Sequence, residues 1–383
     1  MSICKPSEPY LNKLRERYRC ATKKQRGRIL DEFVETTGYH RKHAIALLRG
    51  ERHQRNPKVR LHRVRPRIYL EEDQEAVLWL AELFDQIGSK RLRAAMDDKL
   101  PTLRAQRYLR VNDACYQRLL KISPATMDRL RRAERRPPGP RRGGTKPGSL
   151  LKHQIPIRTF MDWDERRPGF TEMDLVQHDG GNNNGFFACT LNMTDVCTGW
   201  TELRAVRTKA QRHVLSALVV LRAQLPFPLL GVDSDNGQEF INAPLYHYCL
   251  RGHITFTRAR VGRKNDNAYV EQKNWSVVRR LVGDERFDTP EQVEELNTLY
   301  GVYRLYVNHF LPVMKFVTKV REGRRVKKVY DAPRTPYHRI IESTWIDGDA
   351  KARLQTIHEA LDVVLLRRQL DSMLDALKPS PAW

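Results

Sequence analysis

The sequence of 383 residues contains no run of ~18 or more apolar residues, so no membrane-crossing helix is expected. Its start, MSICKPSEPYLNKLRERYRC, has no apolar signal-peptide core, and the expected location is cytoplasmic. Its six cysteines (Cys4, Cys20, Cys115, Cys189, Cys197, Cys249) are scattered and form no CxxC pair. Neither a disulfide framework nor a cysteine-based zinc site is expected from them. Internal repeats and low-complexity tracts are absent as well. Acid is scarce: 45 Asp+Glu stand against 69 Lys+Arg, a formal net charge of +24. A surplus of this size repels itself, and such surpluses are usually kept for a polyanion, most often nucleic acid.

The hydrophobic fraction of 40% suffices for ordinary cores. The length suggests roughly two to four domains. Within residues 1–65, KKQRGRILDEFVETTG places Ile29, Leu30, Phe33 and Val34 at helical spacing before Gly38. YHRKHAIALLRG supplies a second helix that ends at Gly50. Two short helices joined by a tight turn fit a helix-turn-helix, with Arg41, Lys42 and His43 opening the second. Residues 66–136 read as a further helical DNA-binding domain. There Ser123 is a natural N-cap, Pro124 suits the first helical position, and Arg129, Arg131, Arg132 and Arg135 follow as candidate DNA contacts.

Residues 137–154, including PPGPRRGGTKPGS, form a basic linker. From about 155 to 310 the period changes to strands alternating with helices, in the order βββαβαβα, which implies a mixed sheet covered by helices. Residues 311–383 hold a basic hairpin, KFVTKVREGRRVKKVYD, and one long terminal helix, DAKARLQTIHEALDVVLLRRQLDSMLDAL.

Three acids stand out on this map. Asp174 lies in the first strand, Asp235 just past the fourth, in GVDSDNGQEF, and Glu271 in the first turn of the helix NAYVEQKN. Strands one and four are expected to be neighbours, so the acids can converge at one sheet edge. Convergent carboxylates repel one another and call for a hard cation; an all-oxygen donor set suits Mg²⁺ or Mn²⁺. Two such ions can clamp the attacking and leaving oxygens of a phosphoryl displacement.

The pattern DSDNGQEF, then NDNAYVEQKN, with 35 residues between Asp235 and Glu271, resembles the retroviral-integrase-type core of DDE transposases. The N-terminal helices resemble those of bacterial insertion-sequence transposases. This resemblance implies an α/β RNase H-like catalytic domain, a mixed five-stranded sheet with flanking helices. All-α helix-turn-helix domains would precede it, and a small basic hairpin and helical region would follow. It also implies metal-dependent DNA cleavage and strand transfer with two Mg²⁺ or Mn²⁺ ions. Asp174 would bridge both metals, Asp235 would bind one and Glu271 the other.

Asp179 is the rival first acid, although its glycine-rich surroundings suit a turn, and Asp233 is the rival to Asp235. Glu239 is expected to serve the N-terminus of the following helix. Arg258, Arg260, Arg263 and Lys264 would face DNA, and Lys273 and Asn274 would touch the strand being joined. Trp275 is expected in the core, and His178 as a structural residue. The zinc-binding HHCC module of retroviral integrases has no counterpart here. Double-stranded DNA, at element ends and at the target, and further copies of the chain are the implied partners. The alternatives are a metal-dependent nuclease of the same fold and a domesticated, non-catalytic DNA-binding regulator.

Overall fold

The computed structural model describes residues 6–50, 67–134, 166–235, 237–258, 273–323 and 325–380. Glu271, Arg135, Arg260, Arg263 and Lys264 lie outside the described residues. The chain divides into two compact units, one ending at Ile68 and the other starting at Tyr69.

The first unit holds α1 (Glu8–Cys20), α2 (Lys23–Thr37) and α3 (Arg41–Arg49). Thr22 and Gln25 close a capping box at the start of α2, where the Thr22 N–H donates to Gln25 Oε1 at 2.9 Å. Gly38 ends α2 at φ 70°, a left-handed conformation that suits glycine, and its N–H returns to the Val34 carbonyl. Leu14, Tyr18, Leu30, Phe33, Ala44 and Leu48 form a small core among the three helices.

The second unit is built on a five-stranded sheet. Its strands are β1 (Phe170–Gln177), β2 (Cys189–Asp195), β3 (Thr201–Val206), β4 (Gly231–Ser234) and β5 (Thr255–Arg258). Their order is β3-β2-β1-β4-β5. β2 runs antiparallel to β1 and β3, whereas β4 is parallel to β1 and β5. This mixed sheet with helices on both faces fits an RNase H-like domain.

One face buries Met173, Leu191, Met193 and Val232 against α8 (Gln211–Gln224) and α9 (Ala243–Arg251). The other face buries Val176, Leu203 and Ala205 against α10 and α11. α10 is a π-helical stretch, Asn274–Arg279, that continues as the short α-helical Arg280–Val282; α11 spans Pro290–Phe310. β3 is an edge strand, and α11 closes its edge. Asn297 exchanges hydrogen bonds with the Ala205 backbone at 2.8 and 3.2 Å, and Asn308 does so with Thr201 at 2.9 and 2.8 Å.

The helices of 66–136 do not keep a core to themselves. α4 (Glu71–Leu83), α5 (Ser89–Ala105), α6 (Asp113–Lys121) and α7 (Pro124–Leu130) share one apolar cluster with α10, α11 and the C-terminal helix Val363–Ala376. Tyr306 of α11 donates its hydroxyl to the Leu83 carbonyl at 2.5 Å, which ties the layers together.

After α11 come β6 (Phe316–Glu322), β7 (Arg325–Tyr330) and α12 (Pro336–Glu342). The long terminal helix expected from the sequence is two helices, α13 (Gly348–Ala360) and α14 (Val363–Ala376). Asp362 breaks them apart by accepting the Val364 and Leu365 N–H groups at 2.8 and 3.0 Å, as an N-cap does. Among the described residues no helix is long and apolar enough to cross a membrane.

Candidate active site

The parallel register of β1 and β4 brings the first two acids together. Met173 opposite Ser234 is the last paired position; Asp174 follows on β1, and Asp235 follows directly past the end of β4. Neighbouring strands lie about 4.8 Å apart, so the two acids emerge at one level. Both are half-buried. By alternation they share a face with Glu172 and Asp233, which are register partners and 1% and 0% exposed. Asp233 lies deeper in the sheet and accepts a hydrogen bond from the Thr257 hydroxyl.

Asp174 is held from two sides. Its Oδ1 accepts the Leu175 N–H at 2.8 Å, and its Oδ2 accepts the Asn274 amide at 2.6 Å. Asn274 in turn accepts from Asn192 Nδ2 at 2.7 Å, and Asn192 is the register partner of Asp174 on β2. Asn274 is thus turned onto the carboxylate. It lies three residues after Glu271, one helical turn in sequence, a spacing from which this role could have been read.

Asp235 closes a tight turn by accepting the Gly237 N–H at 2.9 Å. Burial raises its carboxyl above the usual range, and the Gly237 hydrogen bond works against that rise. Glu239 does not cap α9 as expected. Asn242 does, accepting the Leu245 N–H at 2.9 Å. The Glu239 carboxyl folds back over Gly237, where a Cβ would meet its Cδ at 2.6 Å. Burial raises Glu239 too, and repulsion from Asp235 adds to the rise. Asn192, Asn274 and Glu239 therefore join the site.

Asp179 forms a turn, its Oδ1 accepting the Gly181 N–H at 3.0 Å. His178 is fully buried, bonded to Thr190 Oγ1 at 2.7 Å and pushed down to about 3 by burial and by Arg279. Trp275, expected in the core, is 55% exposed. One helical position separates it from Asn274, and that rotation turns it from the sheet to the surface.

The candidate DNA contacts fall into two sets. Arg41, Lys42, Arg129 and Arg132 are exposed, with Arg41 paired to Asp31. Arg131 is 5% exposed and turned inward. It donates to the Ile87 carbonyl at 2.8 Å and to Gln86 Oε1 at 2.9 Å. α7 tightens into a 3₁₀ turn at Arg131–Glu134, where Arg131 faces inward. Arg258 is also buried, at the end of β5. Lys273 is half-buried, and burial together with the nearby Arg91 charge pushes its ammonium down to about 7. A basic cleft of about 510 Å³ in the N-terminal unit, lined by Arg19, Lys23, Arg26 and Arg49, had no signal beyond general charge.

The acids offer oxygen donors only, which fits a hard divalent cation and not a soft one. Among the described residues no group of three or more His, Cys, Asp or Glu side chains is placed to hold a metal.

No family model matches the sequence. The uncharacterized protein y4rM of Sinorhizobium fredii (strain NBRC 101917 / NGR234) is 43% identical over 327 residues, 85% of this chain and 92% of that protein. The chain belongs to the y4rM family. Solved structures similar to it include the HTLV-2 integrase catalytic core domain in complex with magnesium, in its dimeric form. That similarity has a TM-score of 0.29 and 15% identity, over 38% of this chain and 91% of that one. The BIV integrase catalytic core gives a TM-score of 0.28 and 16% identity, over 44% of this chain and 91% of that one.

Proposed function

We propose that this member of the y4rM family is a DDE transposase of a bacterial insertion sequence, one that cleaves and joins DNA at the ends of its own element. The observation that carries the reading is the level placement of Asp174 and Asp235 on neighbouring parallel strands, with Asn274 of the following helix bonded to Asp174. Glu271, three residues ahead of Asn274 in sequence, completes the set. Asp174, Asp235 and Glu271 would hold two Mg²⁺ or Mn²⁺ ions. Bound there, the ions would activate the attacking oxygen and neutralise the leaving one.

The chain's own residues do the positioning. Asn192 and Asn274 fix the rotamer of Asp174, and Gly237 fixes that of Asp235. Burial holds the Asp235 carboxyl in a poorly hydrated spot where ionisation needs a compensating cation. Arg41, Lys42, Arg129 and Arg132 would contact duplex DNA, with Arg135, Arg260, Arg263, Lys264 and Lys273 as further candidates. Joining two ends requires their synapsis, so the chain would act as a homo-oligomer on DNA, in the cytoplasm at the nucleoid.

The test supplies duplex ends bearing a 3′-OH and a supercoiled target plasmid, with Mg²⁺ or Mn²⁺. Joined products that disappear in excess chelator and in Asp174→Asn are expected. Nicks without joined products would reduce the activity to that of a nuclease. Joining that persists in chelator would overturn the metal site.

A further inference from the structure

Among the described residues nothing covers the second sheet, unlike the first. β6 and β7 form a two-stranded ribbon, and its described side chains from Phe316 to Tyr330 are exposed apart from the half-buried Val329. An isolated pair of strands is marginal in water, so something must hold it. Its base is firmly tied. Asp331 pairs with Arg339 of α12 at 2.7 Å and accepts the Lys315 N–H at 2.6 Å, and Val313 and Arg334 exchange hydrogen bonds at 2.8 and 3.1 Å.

Residues 315–330 carry seven Lys or Arg and one Glu. Register pairs Lys319 with Lys328 and Arg321 with Val326 on one face. Phe316 and Tyr330 are also register partners, with rings 6.2 Å apart, and Lys319 Nζ lies 5.8 Å from the Phe316 ring, so the aromatics share that face. Like charges directly opposite one another weaken a strand pair. Lysine on an open edge does guard against aggregation, and glutamate can serve there as well. The single sign of charge asks for a different explanation.

We propose that the β6–β7 ribbon is a duplex-DNA-binding arm, with Lys319, Arg321 and Lys328 lying against the phosphates. The charge complements a polyanion, and a two-stranded ribbon fits a major groove about 12 Å wide. A strand of this length reaches about 20 Å, which spans several phosphates on each strand of the duplex. The inference rests on the DNA reading above but adds an element outside the catalytic face.

The experiment uses the full chain and a random-sequence duplex, with affinity measured across a salt series. In the triple variant Lys319→Glu, Arg321→Glu, Lys328→Glu, the slope of log K against log salt should fall by about 2.7, at ~0.9 per phosphate contact. The thermal midpoint should not move, because the Asp331–Arg339 base is untouched. If it does move, the Gln triple variant carries the test and should lose the same slope. A slope and affinity equal to those of the unmodified chain would overturn the arm, as would a loss confined to single-stranded DNA. If the unmodified chain joins no ends yet the variant loses affinity for duplex, the arm stands and the joining reaction falls. An unmodified chain that does not bind duplex removes both.

Discussion

The two sheets of the second unit handle charge in opposite ways. In the five-stranded sheet and its immediate turns four acids are enclosed: Glu172, Asp195, Glu202 and Asp233 are each at most 1% exposed. In the ribbon the charge is basic and open to water. An enclosed charge needs partners, and these acids have them. Glu202 takes Arg304 at 2.6 and 2.7 Å and the Trp200 indole N–H at 2.7 Å. Asp195 takes the N–H and hydroxyl of Thr198, each at 2.7 Å. An exposed charge costs little to leave alone, so what it later meets can decide its sign. Mutations in the first sheet should therefore be felt in folding or chemistry, and those in the second only when a partner is present.

The largest expected effect lies at the edge of the first sheet. Asp174→Asn and Asp235→Asn should abolish end joining while binding to duplex stays near that of the unmodified chain, measured side by side by joining assay and anisotropy. Loss of binding in step with joining would mean that these acids hold the fold and not a metal. Next comes the enclosed pair. Arg304→Met leaves Glu202 without its cation and should cost about 3–5 kcal/mol in urea unfolding. Lys327→Gln in the ribbon should stay within about 0.5 kcal/mol, and comparable losses in the two variants would erase the contrast.

Asn274→Ala removes the bond to Asp174 without removing an acid, and should slow joining by about 10–100-fold with little change in binding. An unchanged rate would make the Asn192–Asn274 link purely structural.

The smallest effect concerns pH and a histidine cluster at the end of α11. His309 and His358 face each other at 3.0 Å, with Lys99 on the far nitrogen of His358 at 3.1 Å and Tyr337 stacked on its ring. Burial first, then the neighbouring cations, push His309 down to about 3 and His358 down to about 4. Asp98 and His338 also face His358, with opposing effects. Folded pKa values below the ordinary ~6.5 mean that the unfolded chain binds more protons in acid. Stability from this cluster is fully present above about pH 6.5 and is lost as pH falls towards 4. His358→Phe should flatten the fall in melting temperature over that window, and an unchanged slope would place the acid sensitivity elsewhere.

Much of this was legible in the sequence, and the exceptions have a common cause. The strand order follows from the alternation of periods. The pairing of Asp174 with Asp235 follows from placing a meander before the alternating strands and helices. What periodicity does not give is the direction of a long side chain on an irregular turn. Arg131 looks like its neighbours in RLRRAERR, yet the 3₁₀ turn points it at Ile87 and Gln86. Trp275 has a core-like side chain and ends outside. The merging of the 66–136 helices with α11 and α14 is likewise invisible locally, because every one of those helices is amphipathic whichever neighbour it meets.

The π-helical stretch Asn274–Arg279 sets the phase between its own two ends. A turn closed by i→i+5 bonds holds roughly one residue more than an α-turn. Residues at its two ends are therefore offset by about 100° from where an unbroken α-helix would put them. Val277 and Val278 within it and Val282 beyond it are seated in the core, while Asn274 at its upstream end addresses Asp174. The insertion works as a rotary coupling. A one-residue loss inside it would let the apolar anchor stay seated while swinging the upstream amide off the carboxylate. In a family that keeps this fold, a length change in that single turn could retune or silence the chemistry without disturbing the packing beneath it.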